Sequence, residues 1–240
     1  MAASKIEWTE ETWNPITGCT KYSDGCKNCY AERFANRLQS MGNARYKNAF
    51  KVTVHHDLFT KPFEWRTSKM VFVNSMSDLF HEDVSDQDIL SLFDVMNKAN
   101  MHTFQVLTKR ADRLARLSKE IKWTDNIWMG VSIENMNVID RRDKLVSTGA
   151  KIKFISAEPL LGSLSEINLD GIDWLIVGGE SGPGCRPMKK EWVIELRDKA
   201  EESETAFFFK QWGGTRKKKA GSELEGKYYK QYPKSLDQDR

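Results

Sequence analysis

The feature that most constrains the fold is a strand-and-helix pattern that repeats from residue 70 to residue 210. Short apolar runs rich in valine, isoleucine and phenylalanine recur every ~20–35 residues and have the length of buried strands. These runs predict six strands, at 70–75, 103–108, 127–132, 152–157, 173–179 and 205–210. Helical periodicity separates them, most clearly after Ser85, which is a predicted N-cap with Asp88 three residues on. Because the strands do not alternate cleanly between apolar and polar residues, we expect parallel strands covered by helices.

The first 65 residues give a weaker pattern. The segment "NPITGC" has the character of a strand end, and "FKVTVHHD" (50–57) predicts a further strand, so about eight strands are expected. This number favours an α/β fold of the TIM-like (β/α) barrel type, complete or partly open, with parallel strands. A doubly wound sheet is the alternative, but no GxGxxG motif follows an early strand. We predict one barrel domain over residues 1–212 and a basic extension over residues 213–240, packed on the barrel or trailing from it.

Composition narrows the function. Hydrophobic residues make up 40% and charged residues 30% of the chain, as in a soluble globular protein. The apolar runs are far shorter than the ~20 residues that cross a bilayer, and the amino terminus lacks the apolar stretch of a signal peptide. We therefore expect a cytoplasmic protein with no membrane partner. In that reducing compartment, clustered cysteines indicate metal or redox chemistry rather than disulfides.

The net charge of +3 is unevenly distributed. Residues 213–240 contain eight Lys/Arg and four Asp/Glu, so this segment alone carries +4. The run "TRKKKAG" and the three tyrosines after it fit a solvated tail, and they also fit a segment that contacts nucleic-acid phosphates and stacks on bases.

Polar residues follow each clear strand, where the strand ends. In a parallel barrel these ends lie on one face, where active sites are built. The residues are Asn74, Ser75, Asp78, Lys109, Arg110, Ser132, Glu134, Ser156, Glu158, Gly178, Gly179, Glu180, Lys210 and Trp212. Some could be ordinary helix caps, but three glutamates on one rim would repel one another unless cations, a metal or a substrate offset their charge. The candidate counter-charges are Lys109, Arg110, Arg186 and Lys210.

The segment "VGGESGPGCRPM" (177–188) follows the fifth clear strand. Its four glycines allow sharp turns and a close approach of backbone to a ligand, and they predict a shaped loop rather than a simple connection. It lacks the GK[ST] ending of a phosphate-binding P-loop, so we exclude that motif.

Three of the four cysteines lie within eleven residues, as Cys19-x6-Cys26-x2-Cys29. A structural zinc site would need a fourth ligand, from Cys185 or one of His55, His56 and His81. A redox CxxC pair would leave Cys19 without a role. A four-iron cluster held by three thiolates would leave one iron open to a substrate or cofactor, although such clusters normally take four cysteines.

The three-cysteine loop above a barrel with a polar rim resembles the radical S-adenosylmethionine superfamily. The resemblance implies a [4Fe-4S] cluster on Cys19, Cys26 and Cys29, S-adenosylmethionine on the open iron, and a 5′-deoxyadenosyl radical that abstracts hydrogen from a substrate. The usual spacing is CxxxCxxC, whereas the first gap here is six residues, and the GGE sequence follows a late strand instead of the second.

Further segments resemble an uncharacterised three-cysteine-motif family of phage and bacterial proteins. They include "IEWTEETWNPITGCTKYSDGCKNCYAER", "VFVNSMSDLFHEDV", "FISAEPLLG" and "WLIVGGESGPGCRPM". The resemblance implies a partner protein encoded nearby and carries no settled substrate.

Our leading interpretation is a radical enzyme that modifies a nucleic acid or nucleotide by hydrogen abstraction. The predicted cofactor-binding residues are Asn74, Ser75, Asp78, Ser132, Glu134, Glu158, Gly178 and Gly179. Substrate binding is predicted for Lys109, Arg110, Arg186 and Trp212, and catalytic roles for Glu180, Cys185 and Lys210. The alternative is a non-catalytic module that carries zinc and binds nucleic acid or a protein.

Overall fold

A computed structural model describes residues 6–215 and 220–234 of the chain. In chain order the strands are β1 (Glu11–Trp13), β2 (Ile16–Thr17), β3 (Thr53–Val54), β4 (Met70–Val73), β5 (Thr103–Thr108), β6 (Ile127–Ser132), β7 (Ile152–Ala157), β8 (Trp174–Gly178), β9 (Ala206–Gln211), β10 (Glu223–Leu224) and β11 (Lys227–Tyr228). The α-helices are α1 (Tyr30–Ser40), α2 (Asp86–Lys98), α3 (Ala111–Leu117), α4 (Arg141–Val146) and α5 (Lys190–Glu202). None of the helices in the described part is long and apolar enough to cross a membrane.

Seven parallel strands form a curled half-barrel, with the order β1-β4-β5-β6-β7-β8-β9. Every neighbouring pair is parallel, and β1 and β9 are the first and last strands of this sheet. All six strands predicted between residues 70 and 210 are present. The partly open form of the predicted TIM-like barrel is confirmed.

The expected eighth strand is not part of the barrel. The segment 50–57 contributes only β3, which pairs antiparallel with β2 in a separate two-stranded sheet. Pro15 cannot donate to a ladder, so β1 stops after three residues. The backbone N–H of Ile16 then donates to the Asn74 side chain at 3.3 Å, and the carbonyl of Pro15 accepts from His55 at 2.8 Å. These contacts turn the chain away from the edge of the main sheet.

Helices α2, α3, α4 and α5 cover the outer face of the sheet and enclose the larger core. In α2 the predicted cap is confirmed, because the Ser85 hydroxyl accepts from the backbone N–H of Asp88 at 3.0 Å. The buried stripe of this helix, with Ile89, Leu92 and Phe93, packs in one cluster with the outward side chains of the strands. Burial on both faces explains why the strands have near-continuous apolar sequences.

The inner face of the sheet is divided into two levels. The lower level, which we call the aromatic floor, consists of Trp8, Met70, Phe72, Trp128, Phe154, Trp174, Ile176 and Phe208. Strand side chains alternate between the two faces, so a residue two or four positions after a floor residue points to the same side. There the inner face turns polar, and we call this upper level the rim: Asn74, Ser132, Ser156, Gly178 and Lys210.

The segment 220–234 packs against the end of the half-barrel. β10 and β11 form an antiparallel hairpin, and Tyr232 lies on Trp174 with their ring centroids 5.1 Å apart. The backbone N–H of Gln231 donates to the Phe207 carbonyl at 3.1 Å. The basic run 216–219, which carries most of the predicted tail charge, and residues 235–240 lie outside the described residues.

Candidate functional site: a cysteine loop across the rim

The three clustered cysteines lie on a loop between β2 and α1. The backbone N–H of Cys19 donates to the carbonyl of Phe50 at 3.1 Å. Cys26 ends a single 3-10 turn (Asp24–Cys26), and Cys29 directly precedes α1. The contacts described below join this loop to residues that follow β4, β5, β6 and β8. The predicted position of the loop, at the C-terminal face of the barrel, is therefore confirmed.

The three thiols are half-buried and free of disulfides. Burial and the nearby Asp78 carboxylate raise the pKa of Cys19 to about 11, and burial raises the pKa of Cys29. Thiolates are ligands for zinc and iron–sulfur clusters, and binding would release the protons. Three thiols on one loop supply donors of the type that such a group needs.

Within residues 6–215 and 220–234, no three His, Cys, Asp or Glu side chains are arranged so that they could hold a single metal ion. The histidines proposed as a fourth zinc ligand have other partners. His81 uses both ring nitrogens, one with the Thr20 hydroxyl at 2.8 Å and one with the backbone N–H of Asp83 at 3.0 Å. His55 bonds Thr17, and His56 pairs with Asp88 on the surface.

Glu134 holds the six-residue segment between Cys19 and Cys26. Its side chain is completely buried and accepts hydrogen bonds from the Ser23 hydroxyl and from the backbone N–H of Gly25, the latter at 3.0 Å. Arg141 lies 3.0 Å and Lys109 3.5 Å from the other carboxylate oxygen. Burial opposes ionisation of this carboxyl, but Lys109, Ser23 and Arg141 outweigh it and hold its pKa below the usual value. Glu134 is thus an anionic anchor for the cysteine loop.

Arg110 forms the second attachment and is only 2% exposed. Its guanidinium donates to the Thr20 hydroxyl at 3.1 Å, lies 3.6 Å from the Cys19 sulfur and sits 4.8 Å below the Tyr22 ring centroid. Asp78 pairs with it at 3.1 Å and neutralises its charge. Arg110 therefore lies beneath the loop, in contact with the first cysteine.

Glu180 forms the third attachment and draws the glycine-rich loop toward the cysteines. It accepts from the Asn28 amide at 2.9 Å and pairs with Arg186 at 2.5 Å. Burial opposes ionisation, but the hydrogen bonds from Arg186 and Asn28 lower the pKa of Glu180 to about 2. The same Asn28 amide donates to the Gly184 carbonyl at 2.9 Å, so Cys185 follows a residue that touches the cysteine loop.

Glu158 and Lys210 form an ion pair on the rim. Their charged atoms lie 2.9 Å apart, and the Ser156 hydroxyl donates to the same carboxylate at 3.2 Å. A Cβ on Gly178 would lie 2.6 Å from a Glu158 oxygen, so a larger residue there would displace this carboxylate from its present position. Each of the three glutamates that follow the strand ends therefore has a cationic partner. The pairs are Glu134 with Lys109 and Arg141, Glu158 with Lys210, and Glu180 with Arg186.

Asn74 is the rim residue with an unused donor. Its backbone is left-handed, with φ at 61°, and its side-chain oxygen accepts from Ile16. The side-chain amide nitrogen of Asn74 is buried and has no hydrogen-bond partner in the described part of the chain. Buried polar groups are normally paired, so this nitrogen is available to a bound group. The neighbouring Ser75 hydroxyl lies 3.1 Å from the Asn14 amide oxygen.

The remaining predicted site residues make contacts with other residues of the protein. The carbonyl of Ser132 accepts from Arg141 at 2.7 Å. Trp212 donates its indole N–H to the Glu223 carbonyl at 2.8 Å and packs edge-on against Phe209. A Cβ on Gly179 would lie 2.0 Å from the Trp212 carbonyl oxygen, so this glycine permits a close backbone approach. Their predicted ligand roles remain predictions.

Sequence reasoning missed Ser23, Asn28 and Arg141, which attach the loop. Ser23 and Asn28 are small polar residues within the cysteine motif, and their partners lie more than a hundred residues away in the chain. The only sequence signal was the length of the first gap, since a longer loop needs additional attachments to be ordered.

A solved structure with a similar fold supports the half-barrel. A mutant spore photoproduct lyase with bound S-adenosylmethionine and dinucleoside spore photoproduct matches at a TM-score of 0.52 and 14% identity, over 84% of this chain and 63% of the lyase chain. Spore photoproduct lyase complexed with dinucleoside spore photoproduct matches at a TM-score of 0.49 and 15% identity, with the same coverage. The chain thus spans less than two thirds of the lyase.

Sequence comparison gives the family. No curated protein matches the chain significantly. Residues 3–233 match the family described as "Protein of unknown function (DUF5131)". Since this match covers nearly the whole chain, the protein belongs to the DUF5131 family.

Proposed function

We propose that the protein is an iron–sulfur enzyme of the radical S-adenosylmethionine type that acts on a nucleic acid or nucleotide. Cys19, Cys26 and Cys29 would hold a [4Fe-4S] cluster. When bound and reduced, that cluster supplies the electron that cleaves S-adenosylmethionine into methionine and a hydrogen-abstracting 5′-deoxyadenosyl radical.

The observation that carries the proposal is the attachment of a three-thiol loop over the mouth of a half-barrel. The loop is bonded to residues beyond four strand ends through Glu134, Arg110, Glu180 and the backbone bridge between Gly18 and Ser77. A loop held this firmly presents its thiols in a fixed geometry, as a catalytic centre requires. The rim below it carries polar and charged groups rather than the aromatic side chains of the floor.

Several rim groups are suited to bind the amino acid part of S-adenosylmethionine. The free Asn74 amide can donate to a carboxylate, and Glu158 can accept from an ammonium group in exchange for part of its contact with Lys210. Glu180 and Arg186 shape the loop that would cover the site. Cys185, within that loop, is the candidate thiol for hydrogen donation.

A nucleotide substrate is supported by two observations. The structurally similar lyase binds a dinucleoside together with S-adenosylmethionine. In addition, the exposed cations Lys27 and Arg33 lie within the cysteine loop and in the helix that follows it. We further propose a cytoplasmic location, which suits free thiols, and a partner protein encoded nearby.

The proposal is tested by metal analysis of anaerobically purified protein. We expect about four irons per chain, absorbance near 400 nm, and 5′-deoxyadenosine release when a reductant and S-adenosylmethionine are added. Cys26→Ser should abolish iron binding, whereas Cys185→Ser, the matched control, should retain it. A colourless anaerobic sample with one zinc per chain would contradict the proposal.

The alternative function is a zinc-bearing binding module. It is favoured by the hydrogen bond between Asn28 and Gly184, which joins the residue before Cys185 to the cysteine loop. In such a module Cys185 would serve as the fourth zinc ligand. In that case Cys185→Ser should release zinc as completely as Cys26→Ser.

A further inference from the structure

Positive charge is concentrated in the segment that contains the last of the clustered cysteines and helix α1. Residues 27–51 contain six Lys/Arg and one Asp/Glu, a net charge of +5, whereas the whole chain carries +3. All six cations are exposed: Lys27, Arg33, Arg37, Arg45, Lys47 and Lys51. Asp57 pairs with Arg45, and no acidic partner is present for the other five among the described residues.

Helix α1 combines these cations with exposed aromatic rings. Tyr30, Arg33, Phe34, Arg37 and Met41 recur at helical spacing, so they form one stripe along the helix. Tyr30 is 55%, Phe34 47% and Met41 69% exposed. The opposite side, with Ala31 and Ala35, is buried. The stripe thus offers rings and guanidinium groups to solvent on the same face.

The segment 44–51 continues this surface. The Gln39 side chain at the end of α1 donates to the Lys47 carbonyl at 3.0 Å, which holds the segment beside the helix. It borders a cavity of about 440 Å³ lined by Ala44, Arg45, Lys47, Thr53, Val54 and His55. Two cations therefore border a recess large enough for a nucleotide group.

The stripe starts at the candidate site. The Tyr30 hydroxyl donates to the carbonyl of Ser75, just beyond β4, at 2.5 Å. Arg33 donates to the carbonyl of Ser181 in the glycine-rich loop at 3.2 Å. A strand bound along α1 would therefore run from the surface to the cysteine loop.

We propose that single-stranded nucleic acid binds along α1 and the segment 44–51, with its phosphates on the cations and its bases stacked on Phe34 and Tyr30. Single strands fit this surface because their unpaired bases can stack on exposed rings, which a duplex does not allow. The inference rests on the proposed function for the identity of the substrate, and it adds the binding track to the reaction site.

Fluorescence anisotropy with labelled 20-mer DNA and RNA tests the track in anaerobically prepared full-length protein. For Arg37→Glu/Lys47→Glu we expect at least tenfold weaker binding and a salt dependence reduced by about 1.4 in log–log slope, at ~0.7 for each lost phosphate contact. Phe34→Ala should weaken binding by roughly tenfold, the lower part of the range for lost base stacking. Comparison of the affinities for the DNA and RNA 20-mers shows which of the two nucleic acids the surface binds more tightly.

The matched control is Lys119→Glu/Lys122→Glu, which makes the same charge change at exposed residues before β6. It should bind within twofold of wild type, and thermal melting should show that all variants fold. Equal losses in the two double variants, or tighter binding of duplex than of single strands, would overturn the proposal. The binding assay needs neither reductant nor S-adenosylmethionine. A loss of nucleic-acid binding can therefore be distinguished from a loss of the proposed radical activity.

Discussion

The floor and the rim are two levels of the same inner face, and they are stabilised by different interactions. In the floor, Trp174 lies within 6.1 Å of the ring centroids of Trp8, Trp128, Phe154 and Phe208. At the rim, carboxylates pair with cations and hold the cysteine loop. The comparison indicates that the floor stabilises the fold by packing, whereas the rim orders the site by charge. Changes in the two levels should therefore have separable consequences.

The largest effect on stability is expected for Trp174→Ala. The ring is fully buried, and its removal leaves a large cavity, so the free energy of unfolding should fall by ~3–5 kcal/mol. Urea unfolding at low temperature measures this loss. Iron content per folded chain should stay at the wild-type level, and a loss of iron with little loss of stability would break the separation of floor from rim.

Glu134→Gln should have the next largest effect. It leaves Arg141 and Lys109 without their carboxylate, and loss of one partner of a buried pair costs ~3–5 kcal/mol, with the lower end expected because Lys109 is partly exposed. The loop should also loosen, so that iron content falls to less than half. Metal analysis together with urea unfolding measures both effects.

The control for this variant is Glu120→Gln, an exposed carboxylate before β6. Wild-type iron content in Glu134→Gln would show that the loop does not depend on its anchor.

Gly130→Ala should destabilise the floor by a smaller amount. A Cβ there would lie 2.4 Å from the Phe154 ring, and overpacking of a core costs ~1–3 kcal/mol. Gly42→Ala is a useful comparison, because a Cβ at Gly42 would meet no other atom. The only cost there is the positive φ of 73°, which alanine adopts less readily than glycine. If Gly130→Ala proves no more destabilising than Gly42→Ala, the floor is looser than described.

The smallest effect concerns acid stability and the rim alone. The pKa of Glu180 is lowered to about 2, so its ion pair with Arg186 stabilises the protein above the pKa of the unfolded state, ~4.3. This contribution is lost as the pH falls from about 5 toward 2, since protonation removes the charge. Between pH 5 and pH 3, the free energy of unfolding should fall more for wild type than for Glu180→Gln. Equal slopes would show that this carboxyl has an ordinary pKa.

The sequence was sufficient to predict the half-barrel because its strands are buried on both faces and carry continuous apolar runs. It was insufficient for β2 and β3, whose two-residue pairing depends on contacts of Pro15 and Asn74 that no local pattern reveals. The rim glutamates were identified as a group, but their partners Ser23 and Arg141 depend on tertiary structure.

The two basic segments differ in how plainly the sequence marks them. The continuous run 216–219 attracted attention to the tail, and its predicted role stays a prediction because these residues lie outside the described part of the chain. The cations of residues 27–51 are separated by apolar, aromatic and uncharged polar residues, so no continuous run marks them. Their shared exposure is visible only in the structure.

The central claim is that the three cysteines hold a cluster with one iron left open for S-adenosylmethionine. Electron paramagnetic resonance of the reduced, anaerobically prepared protein tests it most directly. The account predicts a [4Fe-4S] signal in wild type and in Cys185→Ser, and a clear change in that signal when S-adenosylmethionine is added. A signal that S-adenosylmethionine leaves unchanged, or a protein that carries zinc and gives no signal, would contradict it.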